Sequence, residues 1–224
     1  KNIILDINGK KIENGKVNFI ENNGVIKLID SVRKDSSNSI SGKITSTSNL
    51  LIKNNGELNI ENILLNNTHT KGSIIDNYNI LNLNNSYIES DNNIIKNNEN
   101  GQITVENSEL YVLKEYKTII LNNKGNITIN SGVIKNKTNN GTAISNEAGI
   151  VQINGGELSS IENKDNLIVK TGNIENIKNN ATCEISGGTI NTIYNYNSKK
   201  LIIENSTIDS IETNSSLEIN ETVI

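Results

Sequence analysis

Nine times along this chain an eight-residue phrase returns: an apolar residue, any residue, an aliphatic residue, two variable positions, a small residue, one more, and then Leu or Ile. It reads LNIENILL from Leu58, LNLNNSYI from Leu81, ITVENSEL from Ile103, ITINSGVI from Ile127 and VQINGGEL from Val151. It continues as LIVKTGNI from Leu167, CEISGGTI from Cys183, LIIENSTI from Leu201 and LEINETVI from Leu217. Recurrence at such a period marks a solenoid, in which each repeat buries its apolar face only against the next one.

Within the phrase, positions 0 and +2 alternate with their neighbours as in a strand that has one buried face. Position +5 is Ser86, Ser108, Gly132, Gly156, Gly172, Gly188, Ser206 or Thr222, with Ile63 the exception. A small residue there lets the backbone bend without crowding the neighbouring coil. At +7 the chain turns inward again through Leu65, Ile88, Leu110, Ile134, Leu158, Ile174, Ile190, Ile208 and Ile224. A third element, Ile-x-Asn, then ends on Asn54, Asn77, Asn97, Asn122, Asn146, Asn163, Asn179 and Asn195, with Thr213 in place of the last Asn. Coils in parallel register repeat at about 4.8 Å, so these amides are expected to hydrogen-bond along the axis as a ladder.

Three short strands per coil predict an all-β, single-stranded parallel β-helix of about ten coils, right-handed because parallel crossovers are almost always so. The Asn and Ile bias suits it. Of 224 residues, 46 are Asn and 40 are Ile; β-branched Ile fits a pleated, half-buried surface and Asn tolerates the left-handed corners. Phrase starts are 22 to 24 residues apart as far as Val151 and 16 to 18 apart beyond it. The difference falls mainly between the +7 residue and the Ile of Ile-x-Asn, a step of ten residues from Leu65 to Ile75 but of three in every coil after Leu158. One domain over 1–224 is expected, with divergent N-terminal coils (1–57), broad coils (58–157) and narrow coils (158–224) that taper to 16 residues. The chain opens on Lys1 without a signal-peptide pattern and is read as a processed form or a fragment of a larger protein.

The N-terminal preface runs IILDINGKKI from Ile3, FIENNGVIKLIDS from Phe19 and SGKITS from Ser41. Gly24 to Ser31 shares the frame of Gly56 to Ile63, a divergent coil with a polar loop around Arg33 to Ser39. An LDxNGK strand, a G-x-L-x-I-x-D-S strand, then GKI and serial G-x-I repeats resemble the pectate-lyase-like adhesive β-helices of Gram-positive surface proteins. The resemblance covers nearly the whole chain. It implies an extracellular role at the bacterial cell surface, in adhesion or in binding a host surface protein or glycan.

Composition narrows the function classes. The net charge of −4 with interspersed Lys and Glu leaves no basic stripe for nucleic acid. No apolar run approaches the ~18 residues of a membrane span. The single cysteine, Cys183, occupies a core column and is read as a small buried residue. Polysaccharide lyases and hydrolases share this fold, but hydrolysis needs two neighbouring carboxylates. The outward +3 column (Glu61, Asn84, Glu106, Asn130, Asn154, Lys170, Ser186, Glu204, Asn220) never sets two acids side by side. Arg33 with Asp30 and Asp35 is too sparse for the six to eight oxygens of Ca²⁺. No catalytic residue, metal or cofactor is therefore expected.

The longer loops of the broad coils offer His69, Lys71, Asp91, Tyr111, Lys114, Glu115, Tyr116, Lys117, Lys135, Lys137 and Asn139 on one side. Tyr among polar side chains suits sugar or protein recognition, and these residues are the expected ligand-binding set. The function expected is a non-catalytic surface module for adhesion or display. A lyase or hydrolase of the pectin-lyase-like fold is the alternative, and a phage or fibre module the second.

Overall fold

Strict alternation of buried and outward residues, interrupted at fixed corners, turns this sequence into a stack of coils. A computed structural model describes residues 1–15, 19–32, 42–69, 71–138, 140–196 and 200–220. These hold 26 strands and no helix, in a right-handed parallel β-helix. The loop around Arg33 and Asp35, Asn139, and the last phrase's Thr222 and Ile224 lie outside the described residues.

Each coil contributes to three sheets. The first runs from Asn2–Asp6 through Val25–Ile29, Glu57–Glu61 and Ile80–Asn84 up to Glu218–Asn220. The second starts at Lys11–Asn14 and climbs through Lys43–Ser46, Leu64–Asn67, Tyr87–Ser90, Ser108–Val112 and Gly132–Asn136. The third starts at Ile20–Asn22 and continues through Ile52–Asn54, Ile75–Asn77 and Ile95–Asn97. The divergent frame at Gly24 holds, with Ile26 beside Leu58 and Leu28 beside Ile60.

The phrase columns form the core. Positions 0, +2 and +7 are buried from Leu58 to Ile208, Cys183 among them. The last phrase departs: Leu217 is half-buried and Ile219 is 37% exposed, because no described coil stacks above them. At the other end Ile3 and Leu5 are likewise exposed. At +5, Gly132 has a φ of +107° and its Cα lies against the carbonyl of Ser108, where a Cβ would collide; only glycine fits there.

The taper has a definite origin. In the broad coils a further inward column, Leu51, Ile74, Ile94, Ile119 and Ala143, precedes the Ile of Ile-x-Asn, so two successive side chains point inside at that corner. Between Thr142 and Ile144 the register with the next coil shifts, and Ala143 has no counterpart there. The column thus shrinks to a methyl group and ends, and in the narrow coils Ser160, Asn176 and Thr192, which continue the column of Thr142, directly precede the Ile of Ile-x-Asn.

The amide ladder starts one coil before the eight Asn expected, at a further Ile-x-Asn, Ile20-Glu21-Asn22. It begins at Asn22, which donates to Asn54 at 2.8 Å, and passes through every Asn of the column to Asn195, which donates to Thr213 Oγ1 at 3.1 Å. Its intermediate steps are 2.8–2.9 Å. All nine amides are buried. Most of the Nδ2 groups also donate to backbone carbonyls, as Asn22, Asn54 and Asn163 do, so these buried amides are satisfied within the protein.

Candidate binding face

The outer surface of the second sheet carries the densest chemistry. Strand alternation points Tyr87 and Glu89 outward from one coil and Glu109 and Tyr111 from the next, with Glu89 beside Tyr111 in register. The rings of Tyr87 and Tyr111 sit 5.5 Å apart, tilted by 47°. Lys137 reaches across two coils. Its ammonium lies 4.6 Å from the Tyr111 ring centre and 5.8 Å from that of Tyr87. It donates to Glu89 Oε2 at 2.8 Å and to the Tyr87 hydroxyl at 3.1 Å, while that hydroxyl donates to Glu89 at 2.8 Å.

These contacts fix the protonation states. Burial would raise the Glu89 carboxyl, but the hydrogen bonds and charge of Lys137 and the Tyr87 hydroxyl outweigh it and hold the pKa below the usual value. Burial likewise opposes the Lys137 ammonium, and its bonds to Glu89 and Tyr87 reverse that and raise its pKa. Burial, then the neighbouring Glu109, pushes Tyr111 up to about 12, and burial also raises Tyr87. Near neutral pH the cluster is thus two neutral phenols, one ammonium and one carboxylate. It offers stacking area and oriented hydrogen bonds.

A groove continues from this cluster toward the N-terminal coils. Asn66 Nδ2 donates to Glu89 Oε1 at 3.1 Å, and Asn66, Thr45, Thr47, Glu13 and Thr68 line a depression of about 420 Å³. Glu13, Thr45, Asn66, Glu89, Tyr111 and Lys135 form one outward register column.

Of the residues expected from sequence, Tyr111 and Lys137 meet here. Tyr111 and Lys135 stand on strands in an outward column and not in the longer loops where they were expected. Lys135 is engaged further along, 3.2 Å from Glu157 and 3.8 Å from Glu175. His69 folds back on its own loop, where its Nδ1 accepts the Lys71 amide at 3.0 Å. Asp91 follows the strand of Glu89, its amide bonded to the Asn67 carbonyl at 3.1 Å. Lys114 is held through its carbonyl by Asn136 at 2.9 Å, and Glu115 beside it is exposed. Tyr116 and Lys117 lead away into the third sheet, and Tyr116 is 81% exposed. Tyr87 and Glu89 were missed because they lie within the phrase and just beyond it; the alternation that buries Ile88 and Ser90 was the signal that turns them outward.

Among the described residues, no three His, Cys, Asp or Glu side chains are grouped to hold a metal ion. Compared with protein-family models, curated proteins and solved structures, the chain finds no match. The β-helix and its amide ladder therefore rest on the chain's own geometry.

Proposed function

We propose that this chain is a non-catalytic ligand-binding β-helix of a bacterial cell surface, similar in role to the pectate-lyase-like adhesive modules of Gram-positive bacteria. Its ligand is a glycan or a glycosylated host surface protein. The observation that carries the reading is the Tyr87–Tyr111 pair beside Glu89 and Lys137, at the end of a polar groove. Aromatic rings give contact area at little entropic cost, and flanking charged and amide groups select hydroxyl-rich partners. The protonation states support binding over proton transfer, since general acid–base work wants a group that titrates near the working pH, and the phenols here titrate far above it.

The test is a glycan and matrix-protein array probed with the chain and with a Tyr87→Ser/Tyr111→Ser variant. Both side chains point outward, so the variant should fold and lose most of the binding. Release of unsaturated uronates or reducing ends from polygalacturonate would favour the lyase or hydrolase alternative, and a stable intertwined trimer in sedimentation would favour the fibre.

A further inference from the structure

We propose that a second, separate site on the outer surface of the third sheet takes an uncharged, extended oligosaccharide lying along the solenoid axis between Tyr116 and Tyr194. A trough of about 490 Å³ runs there, lined by both rings. Its volume falls within the ~300–1,000 Å³ of small-ligand sites.

Its floor is set by the register. Thr118 stacks on Thr142, Thr142 on Ser160, and Asn176 on Thr192, while Asn176 Nδ2 donates to Ser160 Oγ at 3.3 Å. The row begins beside the inward residues Ile119 and Ala143 of the last broad coils and continues unbroken past the point where that inward column ends, so it spans the taper of the solenoid. Such a row, one group per coil of about 4.8 Å, matches a polyhydroxylated chain with a repeat of similar length. The two charges in the trough cancel: Lys178 Nζ lies 3.0 Å from Glu162 Oε1. Nothing else in the lining is ionised, which favours a neutral sugar over a uronate.

The backbone of Tyr116 is the independent observation. Its φ is +56°, in the left-handed region that a bulky residue rarely adopts, and its amide is fixed there by the Asn140 carbonyl at 2.8 Å. Among the described residues, the other non-glycine residues of positive φ are Asn, apart from Lys124. A strained aromatic held in the open at the mouth of a trough is backbone strain of the kind that collects at ligand clamps. Tyr194 stands outward at the far end, in register with Lys178.

Titration calorimetry on the whole chain tests this, with cellohexaose, mannohexaose and xylohexaose as probes and hexagalacturonate as the charged comparison. At least one neutral hexasaccharide should saturate. Tyr116→Gly and Tyr194→Ser should each weaken it about ten-fold, the equivalent of one lost ring contact, and Tyr78→Ser, at an exposed ring outside both linings, should leave it unchanged. Glycine suits the left-handed backbone, so the Tyr116→Gly variant should melt no lower than the parent. No binding of any neutral hexasaccharide, tighter binding of hexagalacturonate, or binding that survives both Tyr substitutions would overturn the proposal. Loss on Tyr87→Ser would place the sugar on the second sheet and overturn it too.

Discussion

Asn146 Nδ2 donates to Asn163 Oδ1 at 2.9 Å across 17 residues of chain, whereas Asn122 meets Asn146 at 2.8 Å across 24. The ladder therefore runs unbroken through the step at which the coils narrow. The Asn corner is the invariant of the solenoid, and the corner before it absorbs the change in length.

Every internal ladder amide should accordingly matter alike. Replacing Asn163 or Asn179 by Ala removes one buried hydrogen bond to the amide below and one to the amide above, each contributing ~0.5–1.5 kcal/mol; Asn195→Ala breaks one bond to the buried Asn179 and one to the exposed Thr213. Thr213, which ends the described ladder and is exposed, should cost less than about 1 kcal/mol when changed to Ala. Urea unfolding would measure both. A loss for Asn163→Ala no greater than for Thr213→Ala would show that the ladder contributes little to stability.

Ile174 and Ile190 stack on one another in the +7 column at 2% and 0% exposure. In a narrow coil few other inward residues can collapse into a void. Ile190→Ala should cost ~2–5 kcal/mol, as for other buried aliphatics. A denaturant melt shifted by less than about 1 kcal/mol would mean that the column tolerates cavities as a globular core would not.

The fold was readable because each coil repeats one pattern of period two with fixed corners, so Leu58, Leu81, Ile103 and Val151 testify to one another. The ends were harder to read: Ile3, Leu5 and Ile219 bear the same pattern as the core, but burial depends on a neighbouring coil that the pattern does not encode. The candidate sites were less legible. Loop length drew attention to His69 and Lys114, whereas the Tyr87–Tyr111–Lys137 cluster depends on which outward residues stack across coils, a matter of register and not of local sequence. The trough beneath Tyr116 likewise depends on Thr118, Thr142 and Ser160 stacking outward across coils of different length, a register that the local sequence does not show.

Asp76 stands between Lys53 and Lys96 on the third sheet, yet its pKa is raised, because burial outweighs the attraction of the two ammonium groups. The folded state therefore keeps the proton to a higher pH than the unfolded chain does. Stability is greater on the acid side and falls as pH rises from the unfolded value through the folded one. Asp76→Asn should raise the melting temperature near neutral pH, with the gain vanishing in acid, as followed by circular dichroism. A lower melting temperature for the variant near neutral pH would show that the lysines dominate.

Lys137 makes the opposite prediction with two pH windows. The Glu89 pKa is lowered in the folded state and that of Lys137 is raised. The stabilisation from Glu89 is present above its unfolded pKa and is lost as pH falls through the folded value; that from Lys137 is present below its unfolded pKa and is lost as pH rises through the folded one. Lys137→Gln should therefore lower the melting temperature most between these limits. The deficit should shrink below about pH 4, where Glu89 gains its proton in both proteins, and again in strong alkali. The Gln keeps a chain that can lie against Tyr87 and Tyr111, so a deficit that persists undiminished in acid would assign the role of Lys137 to covering those rings and not to its charge.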